Sequence, residues 1–292
     1  MNTLKINRVS LGEVGYPTLL KEVPNPPKEI FYLGNFLDKS LVKPPKIAIV
    51  GTRKATAYGR AVAKEMAQKF VKKGIVVVSG LAMGIDTAAH EGALLGGGKT
   101  IAVLACGLDL IYPRQNENLA KMIIETGGAI ISEYPAGTLA MKHQFLERNR
   151  IVSGLSIATI VVEAPNESGA LVTARLAAEQ GREVFVVPGP MNHSNYLGSH
   201  KLVRDGACLM SSIEDVFEDL GFDFETEKSK IQNDLVGEEK IIFEMVKQAG
   251  LSVGIDKIIE ITKLEPQKVN QIIALLVIRD ILEETSQGYI IK

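Results

Sequence analysis

The chain has 292 residues, room for one large or two modest domains, and its 46% apolar and 23% charged residues are a globular balance. A net charge of −1 excludes a surface that attracts polyanions everywhere, so any nucleic-acid site has to be a local patch. Two cysteines and four histidines without ligand-like spacing exclude a disulfide framework and a metal site. The opening Met1-Asn-Thr-Leu-Lys-Ile-Asn7 lacks the apolar run of a signal peptide, and the apolar run 272–278 is too short to span a bilayer. A soluble, cytoplasmic protein with no membrane partner is expected.

Residues 1–45 are turn-rich, with Pro17, Pro24, Pro26, Pro27, Pro44 and Pro45, and read as a lead-in packed on the main domain. From Lys46, short apolar runs at 46–50, 75–79, 100–104, 129–132, 158–163 and 183–187, with a shorter one near 208–210, alternate with amphipathic stretches. Those stretches cover 60–72, 87–95, 118–125 and 171–180. Continuous Val/Ile runs separated by helices predict an α/β fold: an extended Rossmann-like, doubly wound, mostly parallel sheet covered on both faces, over 46–220. Residues 221–237 are charged and weakly periodic and read as a linker. The tail, 238–292, shows helical patterns over 238–248, 253–264 and 266–279 and closes on two short strands around a Gly turn, a small winged-helix pattern.

Gly51-Thr52-Arg53 follows the first apolar run of the sheet. Gly permits a tight turn there and Arg can fork onto a phosphate; the alternative is a solvated loop arginine. Ser79-Gly-Leu-Ala-Met-Gly-Ile-Asp86 opens a helix, where free N–H groups suit an anion. Equally, its glycines serve close packing while Asp86 caps the helix and pairs with His90. Gly96-Gly-Gly-Lys-Thr100 resembles the end of a P-loop, but Ala93 stands where Gly is needed and the segment leads into a strand, so nucleotide binding is rejected there.

Lys142, Phe145, Arg148 and Arg150 form the densest basic–aromatic cluster. On a helix Lys142 and Phe145 share a face, which offers a phosphate partner and a stacking surface together. The plainer reading puts Phe145 in the core and the cations in solvent. Ser168-Gly169 joins a strand to a helix and suits a phosphate. Glu163 and Glu167 read more readily as turn acids than as a general base. His193 and His200 read as polar loop residues with no evident partner. In the tail, seven Lys/Arg stand against nine Asp/Glu, and the third helix carries only Lys268 and Arg279, which favours a protein contact or regulatory element over a duplex reader.

Taken together, Gly51-Thr-Arg53, Ser79-Gly-Leu-Ala-x-Gly-Ile-Asp86, Tyr112-Pro113, Phe145-x-x-Arg-Asn-Arg150, Ser168-Gly-Ala-Leu171 and Val187-Pro-Gly189 resemble the DNA-processing protein A family (DprA, also called Smf) over about residues 14–215. The tail is similar, more loosely, to the family's winged-helix domain. The resemblance implies a protein without a cofactor or an established catalytic step. It implies a homodimer that binds and protects incoming single-stranded DNA and helps load the RecA recombinase in natural transformation. It also implies that Arg53 contacts phosphate, that Lys142 and Phe145 contact backbone and base, and that Gly51, Thr52, Ser168 and Gly169 line the same groove. Arg148 and Arg150 join them as candidate cations. Leu146 departs from the family's usual Pro, His200 departs from its usual Asn, and the segment before Lys46 is too short for the sterile-alpha-motif-like domain of many members. The competing reading is a Rossmann-like phosphoribohydrolase acting on nucleotides, though the paired glycines of that loop are missing.

Overall fold

The structure is a computed structural model that describes residues 5–222, 235, 237–279, 281–285 and 287–291. The chain divides into two compact units, Met1–Phe222 and Asp223–Lys292. In the first, the strands are β1 (Asn7–Ser10), β2 (Glu29–Gly34), β3 (Lys46–Val50), β4 (Val76–Ser79), β5 (Thr100–Val103), β6 (Ala129–Ser132), β7 (Ala158–Val161), β8 (Glu183–Val186) and β9 (Cys208–Leu209). The helices are α1 (Thr18–Lys21), α2 (Lys39–Val42), α3 (Ala57–Lys72), α4 (Ile85–Leu95), α5 (Glu117–Glu125), α6 (Lys142–Gly154), α7 (Gly169–Glu179), α8 (Leu197–Arg204) and α9 (Ile213–Asp219).

All nine strands join one sheet in the order β1-β2-β6-β5-β4-β3-β7-β8-β9. The seven strands from β6 to β9 are parallel to their neighbours, and β2 pairs antiparallel with both β1 and β6. Every residue of β4, β5, β6 and β7 is buried, as is β3 after Lys46. Such strands can be apolar throughout only because helices cover both faces. One core layer gathers Ala48, Val50, Val78, Val103 and Ile131 with Ile151, Val152 and Ala174 of the helices. The other gathers Leu81, Ala102, Leu104 and Ile130 with Leu119, Ala120 and Ile123.

The chain runs outward from β3 through β4 and β5 to β6, then returns to the far side of β3 as β7. The sheet therefore has its topological switch between β3 and β7, where open α/β sheets form a crevice at the carboxyl ends of the strands. Helix α3 starts at a Thr56 cap, whose hydroxyl accepts from Gly59 N, and packs on α4. The two helices approach so closely that a Cβ on Gly92 would sit 2.1 Å from Lys64 O, which leaves glycine as the residue that fits.

Residues 5–45 do more than lie on the domain. Two of their segments, β1 and β2, extend its sheet by antiparallel pairing, Asn7 opposite Tyr32 and Phe31 opposite Ser132. The proline-rich turns on either side hide strands that are short and only partly buried. Of the expected linker, residues 223–234 and 236 lie outside the described residues.

The second unit contains α10 (Glu238–Ala249), α11 (Ile255–Thr262), α12 (Pro266–Ile278) and an antiparallel pair, β10 (Leu282–Thr285) and β11 (Gly288–Ile291). A bridge between Val253 and Tyr289 ties the hairpin to the α10–α11 turn. It has its own core of Ile242, Phe243, Val246, Ile258, Val269, Ile273, Leu276 and Leu282. Among the described residues, no helix is long and apolar enough to cross a membrane.

Candidate nucleic-acid interface

An open groove of about 710 Å³ occupies the switch point. Gly51, Thr52 and Arg53 reach it from β3, Gly80 and Asp86 from β4, Tyr112 from β5, Lys142 and Phe145 from α6, and Ser168 and Gly169 from the β7–α7 turn. Four turns and the first turns of α6, separated in sequence, thus meet at one edge because their strands are parallel neighbours.

Arg53 lies on the surface with its guanidinium 4.8 Å from the centre of the Phe145 ring. The ring is half-buried and also meets Tyr112, centroid to centroid 5.6 Å at 58°. Tyr112 is itself about half exposed, at 48%. Among the described residues Arg53 has no carboxylate partner, and neither does Lys142, exposed on the same wall. Phe145 is therefore neither core nor free: it is an aromatic wall with a cation across it. Gly51 fits its place by close approach, since a Cβ there would fall 2.5 Å from Ile85 Cγ1. Thr52 is buried, its N–H donating to Glu163 O at 2.7 Å and its hydroxyl accepting from Lys54 N. Gly51 and Thr52 shape the turn that presents Arg53.

Arg148 and Arg150 part from Lys142 and Phe145. Arg148 is buried beneath the groove, its Nη1 donating to Gly80 O at 2.6 Å and to Val103 O. Burial pushes this guanidinium down from its ordinary pKa and the Asp86 charge opposes the shift. Burial likewise raises the Asp86 carboxyl, opposed by Arg148 and by N–H groups of Ala82 and Gly80. Arg148 lines the floor as a structural cation. Arg150 does not line the groove. It forms a two-pronged pair with Glu133, 2.6 and 3.0 Å, on the far flank of α6. The four-residue cluster read from the sequence is thus split by helical geometry into a groove-facing half and a packed half.

The turn after β4 is not an open anion site either. Asp86 Oδ2 already accepts from Gly80 N at 3.1 Å and Ala82 N at 3.4 Å. His90 does not pair with Asp86; its Nδ1 lies 2.7 Å from Thr100 Oγ1. Thr100 spends its own proton on Val77 O, so the histidine proton is on Nδ1. His193 and His200 also have partners: His193 Nδ1 accepts from Asn195 N, and His200 Nε2 lies 3.1 Å from Gly189 O.

Ser168 caps α7, its hydroxyl accepting from Ala170 N and keeping its proton for another partner. Asn149 ties α6 to this turn by donating to Gly169 O at 3.2 Å. Glu163 is buried and takes four donors: Thr56 N, Thr56 Oγ1, Asn195 Nδ2 and Tyr196 Oη. Burial would raise its pKa, but these bonds outweigh it and hold the carboxyl below the usual carboxylate range. With about four acceptor positions on a carboxylate, Glu163 has none to spare for a general-base role. Among the described residues no cluster of His, Cys, Asp and Glu is arranged to hold a metal.

Tyr112, Leu146 and Asn149 line the groove and were not singled out as site residues from sequence. Tyr112 carried one signal, an aromatic followed by Pro just beyond an apolar run; Leu146 and Asn149 follow from the helical spacing around Phe145.

Three comparisons bear on this geometry. The sequence profile of the family described as DNA recombination-mediator protein A matches residues 7–221. DNA processing protein DprA of Bacillus subtilis is 43% identical over 215 residues, 74% of this chain and 71% of that protein. The X-ray structure of DNA processing protein A from Streptococcus pneumoniae superposes with a TM-score of 0.69 at 41% identity, covering 75% of each chain. DNA processing protein A from Helicobacter pylori, whose structure addresses its single-stranded DNA binding mode, gives 0.65 at 34% identity over 74% of this chain and 97% of that one. The profile match spans the whole sheet that builds the groove, and the chain belongs to the DNA recombination-mediator protein A family, the DprA/Smf proteins.

Proposed function

We propose that this protein binds single-stranded DNA, with little sequence preference, in the groove at the β3–β7 switch. The observation that carries the reading is the Arg53–Phe145 contact: a guanidinium with no carboxylate partner among the described residues, 4.8 Å over a half-exposed ring, with Lys142 beside it on α6. A strand entering the groove draws Arg53 from the ring onto a phosphate. That costs a cation–π contact of about 0.5–1 kcal/mol. It gains a charge-assisted hydrogen bond of about 1.5–3 kcal/mol. The freed ring face then stacks a base for about 1–3 kcal/mol. Lys142 holds a second phosphate, and the Ser168 hydroxyl and the Gly169 end of α7 donate to the backbone. Duplex DNA binds less well because its bases are already stacked.

In this reading the protein acts in the cytoplasm as a homodimer, shielding incoming DNA and helping to load the RecA recombinase in natural transformation. Two grooves on one strand raise avidity without new contacts. The tail is a winged-helix module for protein contact. The saturated Glu163 weighs against the phosphoribohydrolase alternative. Release of free base from nucleoside monophosphates, lost in Glu167→Gln, is the result that would revive it.

The chain contains no Trp, so Phe145→Trp places a single indole at the proposed stacking position. Its fluorescence is expected to be quenched by a dT strand and much less by a matching duplex, while Phe145→Ala weakens single-strand binding. Unquenched fluorescence together with wild-type affinity in Phe145→Ala contradicts the reading.

A further inference from the structure

Arg53 stands between two hollows. Arg53 also lines a second cavity, of about 380 Å³ between α3 and α4, that Phe145 does not reach. Lys54, Arg60 and Lys64 line it beside Arg53, against a single carboxylate, Glu91. Arg60 and Lys64 are one helical turn apart and share a face of α3. Arg60 is aimed by a bond from its Nη1 to Ala55 O, on the loop that follows Arg53. Lys64 meets Glu91 at 3.3 Å with both side chains about half exposed. Such a solvent-exposed pair is weak and exchanges readily for a phosphate. The small residues Ala61, Gly84 and Ala88 also line it, with Met83 and Thr87, and the Gly92–Lys64 contact fixes the spacing of the two helices. No aromatic residue lines this cavity. It offers charge and room but no stacking surface, the chemistry of a backbone contact without a base contact.

We infer that the α3–α4 cleft is a phosphate track that continues the bound single strand past Arg53, with Arg60 and Lys64 each holding one further phosphate. The inference rests on the proposed entry of the strand at the Phe145 groove and assigns the direction in which the strand leaves it. The track adds affinity and salt dependence but no base preference, and only strands long enough to pass Arg53 feel it.

The test is fluorescence anisotropy with labelled dT strands of increasing length, across a salt series, for wild type, Arg60→Gln/Lys64→Gln, Glu91→Gln and Arg53→Ala. Glutamine keeps the helix propensity of the replaced residues. With a slope of about −0.7 per neutralised phosphate, each lost contact weakens binding about fivefold at 0.1 M salt. The double variant is therefore expected to bind long strands about 25-fold more weakly, with a salt slope shallower by about 1.4. It should match wild type on the shortest strand that still binds. Glu91→Gln releases Lys64 and should tighten binding to long strands only. An unchanged slope and affinity on long strands in the double variant overturns the track. So does a loss that is equal at every length, which would mark a diffuse field and not a path. If Arg53→Ala binds like wild type, the groove reading falls and the track with it; if Arg53→Ala loses binding while the double variant does not, the track alone falls.

Discussion

The groove and the tail each present two prominent cations on a helix-rich surface, yet they differ in what those cations can do. Arg53 and Lys142 have no acid partner among the described residues, and Arg53 lies across an aromatic ring. In the tail, Lys268 of α12 pairs with Glu238 at 2.7 Å and Arg279 pairs with Glu239 at 3.2 Å, both on α10. The same division runs through α6, whose first turn carries Lys142 with no acid partner among the described residues, while Arg148 and Arg150 are occupied by Gly80, Val103 and Glu133. Net charge therefore says little about a nucleic-acid surface. What matters is where the cations that the protein has not consumed stand: Arg53 and Lys142 line one groove with the Phe145 ring.

Consumed cations should act on folding, and free ones on DNA. The largest effect is expected from Arg148→Ala, which strips two buried carbonyls of their donor and leaves buried Asp86 without its balancing charge. A loss of about 3–5 kcal/mol of stability is expected in urea unfolding of the variant. A stability within error of wild type would contradict the structural role that its bonds to Gly80 O and Val103 O give Arg148. Phe145→Ala comes next: about 1–3 kcal/mol of single-strand affinity, roughly 5- to 150-fold in Kd, with stability little changed. Equal losses on duplex and single strand would assign the effect to shape and not to stacking.

The core under the groove supplies a pH test. Burial, and secondarily the Arg148 charge, lowers the His90 pKa to about 3. Its buried Nε2 has no hydrogen-bond partner among the described residues. The folded state thus keeps His90 neutral while the unfolded chain protonates it near pH 6.5. The unfolded state then binds the extra proton, so stability falls as pH drops from about 6.5 toward 3, by up to about 1.4 kcal/mol per pH unit from this group. Denaturant midpoints at pH 7 and pH 5 should converge in His90→Asn; an unchanged pH slope in that variant would remove His90 as the source. Smaller still, Lys142→Ala should weaken single-strand binding about fivefold at 0.1 M salt. The smallest effect belongs to the tail, where Lys268→Ala/Arg279→Ala should leave DNA affinity unchanged in the same assay.

Much of this fold is legible in the sequence because parallel strands buried on both faces leave continuous apolar runs. The runs at 46–50 and 129–132 coincide with β3 and β6, and the others end within two residues of their strands. The antiparallel edge was hidden because β1 and β2 are short, partly exposed and set among prolines. At the site, the loops that meet were legible as strand-to-helix turns, but the division of labour among them was not. Whether Arg148 is a floor or a contact depends on Gly80 and Val103, far away in sequence. Asp86 turns toward backbone N–H groups and not toward His90, because burial makes those donors the stronger demand. The stacking of Arg53 on Phe145 joins two motifs that only the sheet order brings together.

The most direct test is the salt dependence of single-strand binding measured side by side for wild type, Arg53→Ala and Lys268→Ala/Arg279→Ala. The account predicts that Arg53→Ala binds more weakly with a log–log slope shallower by about 0.7, while the tail variant superimposes on wild type. A tail variant that loses slope while Arg53→Ala keeps it would contradict the account and move the DNA site out of the groove.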